Sequence, residues 1–290
     1  MDLRYLREHP AQLPVFIQHQ RIRETPVPGG SICTAQRLTL DDGSSVFAKS
    51  LADPPEGFFA AEAAGLRWLR AANAAPVPEI IAELPSMLAL EWIDHGEATP
   101  AGAEELGRGL AGLHRSGAEA FGAPWPGYIG TLWMPNEPSP LSWGPWFAQF
   151  RLRPFLEASI NAQTGALTRD DIAGVERVMS EISSYGGDEP PSRIHGDLWP
   201  GNVLWDRRGR GWLVDPAAHG GHRETDLALL GLWGGVPHHD RLLAAYRESW
   251  PLADGWQERV PLHRLYLMLV HTALFGAAYG DSVRSLLRAL

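Results

Sequence analysis

The sequence has few features that would place the protein outside the cell or in a membrane. It contains a single cysteine, Cys33, which excludes an internal disulfide bond. The uncharged run 265–280 contains His271 and is shorter than the roughly 20 residues of a membrane-spanning helix. The N-terminal segment 1–8 carries charges throughout and does not resemble a secretory leader. These absences predict a cytoplasmic protein with a free thiol and no membrane partner.

Positive charge is also scarce. The 25 lysine and arginine residues are outnumbered by 34 aspartate and glutamate residues, which gives a net charge of −9. Nucleic-acid binding requires a positive surface that displaces counterions from phosphates, so this balance argues against a nucleic-acid partner. The 290 residues, of which 44% are hydrophobic, are sufficient for one large domain or for two smaller ones.

The first third of the chain has strand character, and the remainder is mostly helical in pattern. A turn at Asp41-Asp42-Gly43 separates two apolar runs, as in a hairpin. The pattern predicts a helix at 55–73 and strands at 32–40, 45–49, 79–82 and 87–93. We therefore predict an α+β, two-lobed fold. Residues 1–93 would form a nucleotide-binding lobe with a small antiparallel sheet and one helix, and residues 94–290 a larger, mainly helical catalytic and substrate-binding lobe.

One motif in the second half of the chain carries recognisable chemistry. Asp197 follows a predicted strand and Gly196, which permits a sharp turn, so that its carboxylate can act as a base toward a hydroxyl group. Asn202 and Asp215 follow at offsets of 5 and 13 residues, and a predicted hairpin between them brings them to the same end. Amide and carboxylate oxygens are ligands that Mg²⁺ accepts beside phosphates. The spacing predicts phosphoryl transfer from a nucleotide.

The N-terminal part supplies candidate contacts to that nucleotide. Lys49 closes a predicted strand and can reach phosphates as a point charge, and Glu62 on the following helix can pair with it. The remaining contacts are expected from backbone groups: those of Gly30, Ser31 and Ile32 to the phosphates, and those of Glu91, Trp92 and Ile93 to the adenine.

Longer runs are more specific than these single positions. They include His195-Gly196-Asp197-Leu198-Trp199-Pro200-Gly201-Asn202, Asp215-Pro216-Ala217, Gly221-His222-Arg223-Glu224-Thr225-Asp226 and Arg151-Leu152-Arg153-Pro154. With these runs the chain resembles, over nearly its whole length, the fructosamine (ketosamine) 3-kinases, a branch of the aminoglycoside phosphotransferase and protein-kinase-like superfamily.

The resemblance implies a protein-kinase-like fold and transfer of the ATP γ-phosphoryl group to the 3-hydroxyl of a ketosamine, a sugar attached to an amine. The ketosamine is either a small molecule or linked to a protein, and the unstable product releases the amine, so the reaction repairs glycation. ATP and Mg²⁺ are the implied cofactors. Asp197 is the implied base, Trp199 and Glu224 are expected at the acceptor, and the chain is expected to be a monomer or a weak homodimer.

Two alternatives remain open from the residues. Asp197, Asn202 and Asp215 indicate phosphoryl transfer but say little about the acceptor. A kinase of the aminoglycoside or choline type is therefore the second hypothesis. A catalytically inactive nucleotide-binding scaffold is the third. Asp215 is followed by Pro216-Ala217 instead of the Phe-Gly of protein kinases, and no activation segment is recognisable, so control by phosphorylation is not expected.

Overall fold

The computed structural model describes residues 2–18, 22–28 and 32–290 of the chain. The N-terminal strands are β1 (Arg23–Pro26), β2 (Thr34–Thr39), β3 (Ser45–Ser50), β4 (Ile80–Leu84) and β5 (Met87–Glu91). They form one antiparallel sheet in the order β1-β2-β3-β5-β4. The first helices are α1 (Leu3–Glu8), α2 (Leu13–Gln18) and α3 (Phe58–Ala71). The four predicted strands and the predicted helix are confirmed, whereas α1, α2 and β1 were not predicted.

Helix α3 packs on the sheet because its apolar residues recur on one face. Phe59, Ala63 and Leu66 are at most 1% exposed, and they share a core with Leu88 and Leu90 of β5. The same helix carries Glu62, between two of these buried positions. The sheet and α3 therefore hold Lys49 and Glu62 on facing elements.

The rest of the chain is mainly helical. Its helices are α4 (Pro100–Arg115), α5 (Trp143–Phe147), α6 (Arg153–Asn161), α7 (Arg169–Ser180), α8 (Arg223–Leu230), α9 (His239–Ser249), α10 (Trp256–Phe275) and α11 (Gly280–Ala289). Helix α10 contains most of the uncharged run 265–280, and its residues 265–270 are all buried. Among the helices of the described residues, none is long and apolar enough to cross a membrane.

Three short antiparallel ladders interrupt the helices. They pair β6 (Gly127–Ile129) with β7 (Leu132–Met134), β8 (Ser192–Ile194) with β11 (His219–Gly221), and β9 (Val203–Trp205) with β10 (Gly211–Leu213). The last two ladders place the segments that follow β8 and β10 side by side, facing the N-terminal sheet. The boundary after Ile93 stays a prediction.

The contact between α4 and α9 depends on a glycine. A Cβ atom on Gly107 would lie 2.1 Å from the backbone oxygen of Leu242, so the two helix backbones approach more closely than any side chain permits. We expect Gly107→Ala to lower the free energy of unfolding by about 1–3 kcal/mol, because the helices must separate. Urea unfolding measures this change.

Gly112→Ala in the same helix is the matched control. There the new Cβ would lie 3.2 Å from the Ala74 methyl group instead of a backbone atom. Alanine favours a helix over glycine by up to about 1 kcal/mol, so this variant should be neutral or slightly stabilised. Equal destabilisation of both variants would contradict the assigned close approach of α4 and α9.

Candidate active site

A cavity of about 750 Å³ separates the sheet from the helical part of the chain. Most of the residues predicted for the site contribute to its wall: Ile32, Lys49, Glu62, Glu91, Trp92, Ile93, Asp197, Trp199, Asn202 and Asp215. Gly30 and Ser31 lie outside the described residues. The structure therefore brings residues from β3, α3 and the loops after β8 and β10 to one space.

Lys49 lies between two carboxylates. Its Nζ is 2.5 Å from Oε2 of Glu62 and 2.8 Å from Oδ1 of Asp215, and the residue is 7% exposed. Burial alone would lower the pKa of Lys49, but the charges of Asp215 and Glu62 outweigh it and raise the pKa. Lys49 is therefore a permanent cation that links the sheet, α3 and the loop after β10.

The two carboxylates respond differently to this lysine. Burial raises the pKa of Glu62 to about 7 despite the attraction of Lys49. At Asp215 burial also raises the pKa, but the charge of Lys49 outweighs it and leaves the pKa below its ordinary value. The Asp215 side chain is 48% exposed, toward the cavity, and it is the carboxylate that stays ionised.

The turn that carries Asp197 requires glycine at position 196. Gly196 has φ +80°, and a Cβ atom there would lie 2.3 Å from the backbone oxygen of Ala217. His195 lies beneath this turn, fully buried, and donates from Nε2 to the backbone oxygen of Val214 at 2.8 Å. Its Nδ1 accepts from the backbone N–H of Asp197 at 3.3 Å. The expected sharp turn is confirmed.

Asp226 holds the same turn, and the sequence pattern did not single it out as a site residue. Its carboxylate is 0% exposed and accepts the backbone N–H groups of His195 at 2.7 Å and Gly196 at 2.9 Å. His114 Nε2 lies 3.1 Å from the same carboxylate. The hydroxyl of Tyr266 donates to the backbone oxygen of Gly196. Residues of α8 and α10 thus fix the backbone before Asp197, and His114 of α4 holds the Asp226 carboxylate.

Asp197 and Asn202 are neighbours in space. The Asn202 amide nitrogen donates to the backbone oxygen of Asp197 at 2.7 Å and to its Oδ2 at 3.1 Å. Asp197 Oδ1 is buried without a hydrogen-bond partner among the described residues. Burial, together with the charge of Asp215, raises the pKa of Asp197 well above its ordinary value. A carboxylate with a raised pKa and a free oxygen suits a general base.

The arrangement of Asn202 and Asp215 fits a divalent cation. The Asn202 nitrogen also lies 3.4 Å from the backbone oxygen of Asp215, so three oxygen acceptors surround it, and the amide oxygen has no hydrogen-bond partner among the residues that the structure describes. Asp215 has φ +53°, a rarely populated conformation for a residue other than glycine. One amide oxygen and one ionised carboxylate are hard ligands of the kind that Mg²⁺ prefers.

The cavity wall is apolar near the end of β5. Leu90, Ile93, Leu204 and Val214 contribute to it. Trp92 is oriented by its Nε1, which donates to Asp94 at 3.0 Å, and by Arg37, which stacks 4.6 Å from its ring. The backbone groups of Trp92 and Ile93 make no hydrogen bond within the described ranges. A planar base with a donor and an acceptor on its edge fits here.

Glu224 does not lie where a substrate contact was expected. It is 1% exposed and does not line the cavity; both of its oxygens accept hydrogen bonds from Arg259, at 2.8 and 2.6 Å. Both carboxylate oxygens of Glu224 are engaged in a buried ion pair, so a contact from Glu224 to the substrate does not fit this position. His222 and His263 lie close enough to join it as metal ligands, but Arg259 already occupies the carboxylate and His222 Nε2 donates to Gly187 O at 2.7 Å.

Comparisons with known proteins match this chain to one family of kinases. The model of the fructosamine kinase family matches residues 12–290. A probable ketoamine kinase of Enterococcus faecium is 33% identical over 270 residues, which cover 90% of this chain and 93% of the relative. A solved structure from Thermobifida fusca, described as a candidate fructosamine-3-kinase, is 45% identical, covers 92% of each chain and superposes with a TM-score of 0.86.

A more distant likeness concerns the fold alone. An ADP-bound aminoglycoside phosphotransferase, APH(2'')-Ib, superposes with a TM-score of 0.62 and covers 97% of each chain, although the two are only 13% identical. The predicted α+β, protein-kinase-like fold is confirmed.

The buried pair of Glu224 and Arg259 generates a stability prediction. Burial opposes ionisation of Glu224, but hydrogen bonds from Arg259 prevail and lower its pKa from 4.5 to about 2. A carboxyl whose pKa is depressed by folding stabilises the protein above the unfolded pKa, and this contribution is lost as the pH falls from about 4.5 toward 2. Glu224→Gln should cost about 3–5 kcal/mol at pH 7, because it leaves Arg259 buried and unpaired.

Urea unfolding at pH 7 and between pH 4.5 and 3 tests this prediction. In the acidic range the stability of Glu224→Gln should fall less steeply than that of the wild type, by up to about 1.4 kcal/mol per pH unit. Glu104→Gln is the control, because Glu104 and Arg241 form a surface pair at 2.8 Å worth under about 1 kcal/mol. An unchanged stability in Glu224→Gln, combined with a raised KM for the acceptor, would restore the substrate role.

Proposed function

The chain belongs to the fructosamine kinase family, and on that premise we propose that it transfers the γ-phosphoryl group of ATP to the 3-hydroxyl of ketosamines. A ketosamine is the adduct that a sugar forms with an amine, such as a fructosamine or a ribulosamine. Phosphorylation at this position makes the adduct unstable, so that the amine is released. The reaction class is a phosphotransferase with an alcohol acceptor, and its physiological outcome is deglycation.

One observation carries the proposal: the residues proposed for both halves of a phosphoryl-transfer site line a single cavity. Lys49, held by Glu62, lies on one wall, and the Asp197–Asn202 pair lies on the other. Asp215 belongs to both, since it contacts Lys49 and its backbone oxygen faces the Asn202 amide. Phosphoryl transfer depends on positioning and charge stabilisation, and this geometry supplies both.

We assign the role of general base to Asp197. Its Oδ1 has no partner among the described residues, so it can accept the proton of the acceptor hydroxyl. Asn202 holds the other oxygen, Oδ2, and thereby fixes the direction of the carboxylate. The raised pKa increases its affinity for a proton as the hydroxyl attacks the phosphorus atom.

The remaining residues would hold ATP and its metal. Lys49 would pair with the phosphates, while the backbone of Trp92 and Ile93 would bind the adenine edge. Asn202 and Asp215 would hold Mg²⁺, which neutralises charge on the phosphates when it is bound. We also propose that the backbone of Ile32, which lines the cavity, contacts the phosphates.

The acceptor is either a small ketosamine or one attached to a protein. Trp199 would offer an apolar face to the sugar, because it lines the cavity two residues beyond Asp197. We propose that the reaction takes place in the cytoplasm, where ATP is available, and that the chain acts as a monomer or a weak homodimer.

A panel of acceptors discriminates this proposal from the second candidate, which the shared fold with an aminoglycoside phosphotransferase favours. With ATP and Mg²⁺, we expect turnover of fructosamine and ribulosamine adducts and little turnover of aminoglycosides or choline. Phosphorus NMR should place the new phosphate on the 3-hydroxyl. Turnover of choline or an aminoglycoside, with none of the ketosamines, would contradict the proposal.

The variant Asp197→Asn tests whether Asp197 is the general base, and the wild-type measurement tests whether the protein is an enzyme or a non-catalytic nucleotide-binding scaffold. We expect the variant to lose at least about 100-fold in kcat, because a positioned base contributes about 10²–10⁴-fold. Titration calorimetry should show that ATP with Mg²⁺ binds within a few-fold of the wild type. Asp188→Asn, at an exposed loop position, is the control. Undiminished kcat in Asp197→Asn would exclude Asp197 as the base, and absence of turnover in the wild type would favour a scaffold.

A further inference from the structure

Aromatic side chains dominate one wall of the cavity, next to Asp197. We call this group the acceptor cage; its members are Trp199, Trp233, His271, Phe275 and Tyr279, and all of them line the cavity. The Trp233 ring lies 5.3 Å from that of Trp199 and 5.2 Å from that of His271. His271 continues the group to Tyr279 at 4.7 Å and to Phe275 at 5.5 Å. The rings form one connected surface.

The two tryptophans are held in place by their local backbone. The ring of Trp199 folds back over Gly201, where a Cβ atom would lie 2.0 Å from the ring. Trp233 has φ +48°, in the left-handed region that is uncommon for a bulky residue. It nevertheless keeps 51% of its surface exposed. A strained residue with an exposed aromatic ring inside a cavity is an unusual combination, and such strain clusters at ligand sites.

His271 contributes a hydrogen-bond acceptor to the same wall. Its Nδ1 lies 2.8 Å from the backbone oxygen of Leu267, and because that oxygen only accepts, Nδ1 carries the proton. Burial lowers the pKa of His271, so the imidazole is neutral and Nε2 retains its lone pair. Nε2 makes no hydrogen bond to the part of the chain that the structure describes.

The charges around the cavity favour a cation at this wall. Among the described residues that line it, Lys49 is the only lysine or arginine, and two carboxylates already hold it. The carboxyl group of Asp197, two residues before Trp199, lines the same cavity. Ring faces attract an ammonium group, most strongly those of tryptophan.

We propose that the acceptor cage binds the protonated secondary amine of the ketosamine, with Trp233 facing the ammonium and His271 Nε2 accepting one of its N–H groups. This inference rests on the proposed function. The amine nitrogen and the 3-hydroxyl oxygen are separated by four bonds, which span at most about 5 Å. With the 3-hydroxyl oxygen at Asp197, the ammonium therefore lies within about 5 Å of that oxygen, on the wall where Trp199 follows Asp197 by two residues and its ring meets that of Trp233.

The test compares two acceptors that differ only in this charge. One is 1-deoxy-1-(propylamino)fructose and the other is its neutral ether, 1-O-propylfructose, both of which carry the 3-hydroxyl. We expect the wild type to prefer the amine, and Trp233→Leu to lower the amine-to-ether ratio of kcat/KM by about tenfold. Trp233→Phe should retain most of the ratio because it keeps a ring, and His271→Phe should lower it because it removes the acceptor.

Trp133→Leu is the matched control. Trp133 is 50% exposed, as Trp233 is, but it does not line the cavity, so the ratio should not change. Thermal unfolding verifies that each variant is folded. The ammonium assignment would be overturned by an unchanged amine-to-ether ratio of kcat/KM in both Trp233→Leu and His271→Phe, that is, by an equal loss for the amine and the ether. In that case, turnover of the ketosamine by the wild type would still uphold the proposed function. Failure of the wild type to phosphorylate the amine would overturn both.

Discussion

The carboxylate of Asp226 is the constraint on which the geometry of the site depends. A buried charge is costly unless hydrogen bonds compensate it, and this one is compensated by the backbone N–H groups of His195 and Gly196 together with the ring of His114. Those partners come from the loop after β8 and from α4. Movement of the loop would leave the Asp226 carboxylate without its hydrogen bonds. The backbone just before Asp197 is therefore fixed, and so is the direction in which Asp197 leaves the loop.

The electrostatics of the cavity follow from a shortage of positive charge. Glu62, Asp215 and Asp197 all line it, whereas Lys49 is its only lysine or arginine among the described residues. The lysine is sufficient to keep Asp215 ionised but not to hold the pKa of Glu62 or Asp197 at its usual value. A site with this imbalance favours binding of a nucleotide together with a divalent cation, since the phosphates then add little net negative charge.

The sequence predicted the parts of the site that depend on short-range spacing. Asp197, Asn202 and Asp215 lie within a single turn and hairpin, so their approach follows from local structure. Asp226 and His114 are 112 residues apart, and no local pattern reports their contact. Glu224 was misplaced for a related reason: every residue of α8 is buried, so periodicity could not indicate which side faces the cavity. Strand β1 was missed because all of its residues are exposed.

The type of reaction and the choice of acceptor therefore depend on different parts of the structure. The residues proposed for phosphoryl transfer lie on β3 and in the loops after β8 and β10, and an aminoglycoside phosphotransferase shares the overall fold at 13% identity. The acceptor cage instead joins Trp199, after β8, to Trp233, after α8, and to His271 of α10. Because these rings meet only through tertiary packing, acceptor choice can change without disturbing the base or the lysine. The side chains of this wall, more than the fold, should decide which alcohol is phosphorylated.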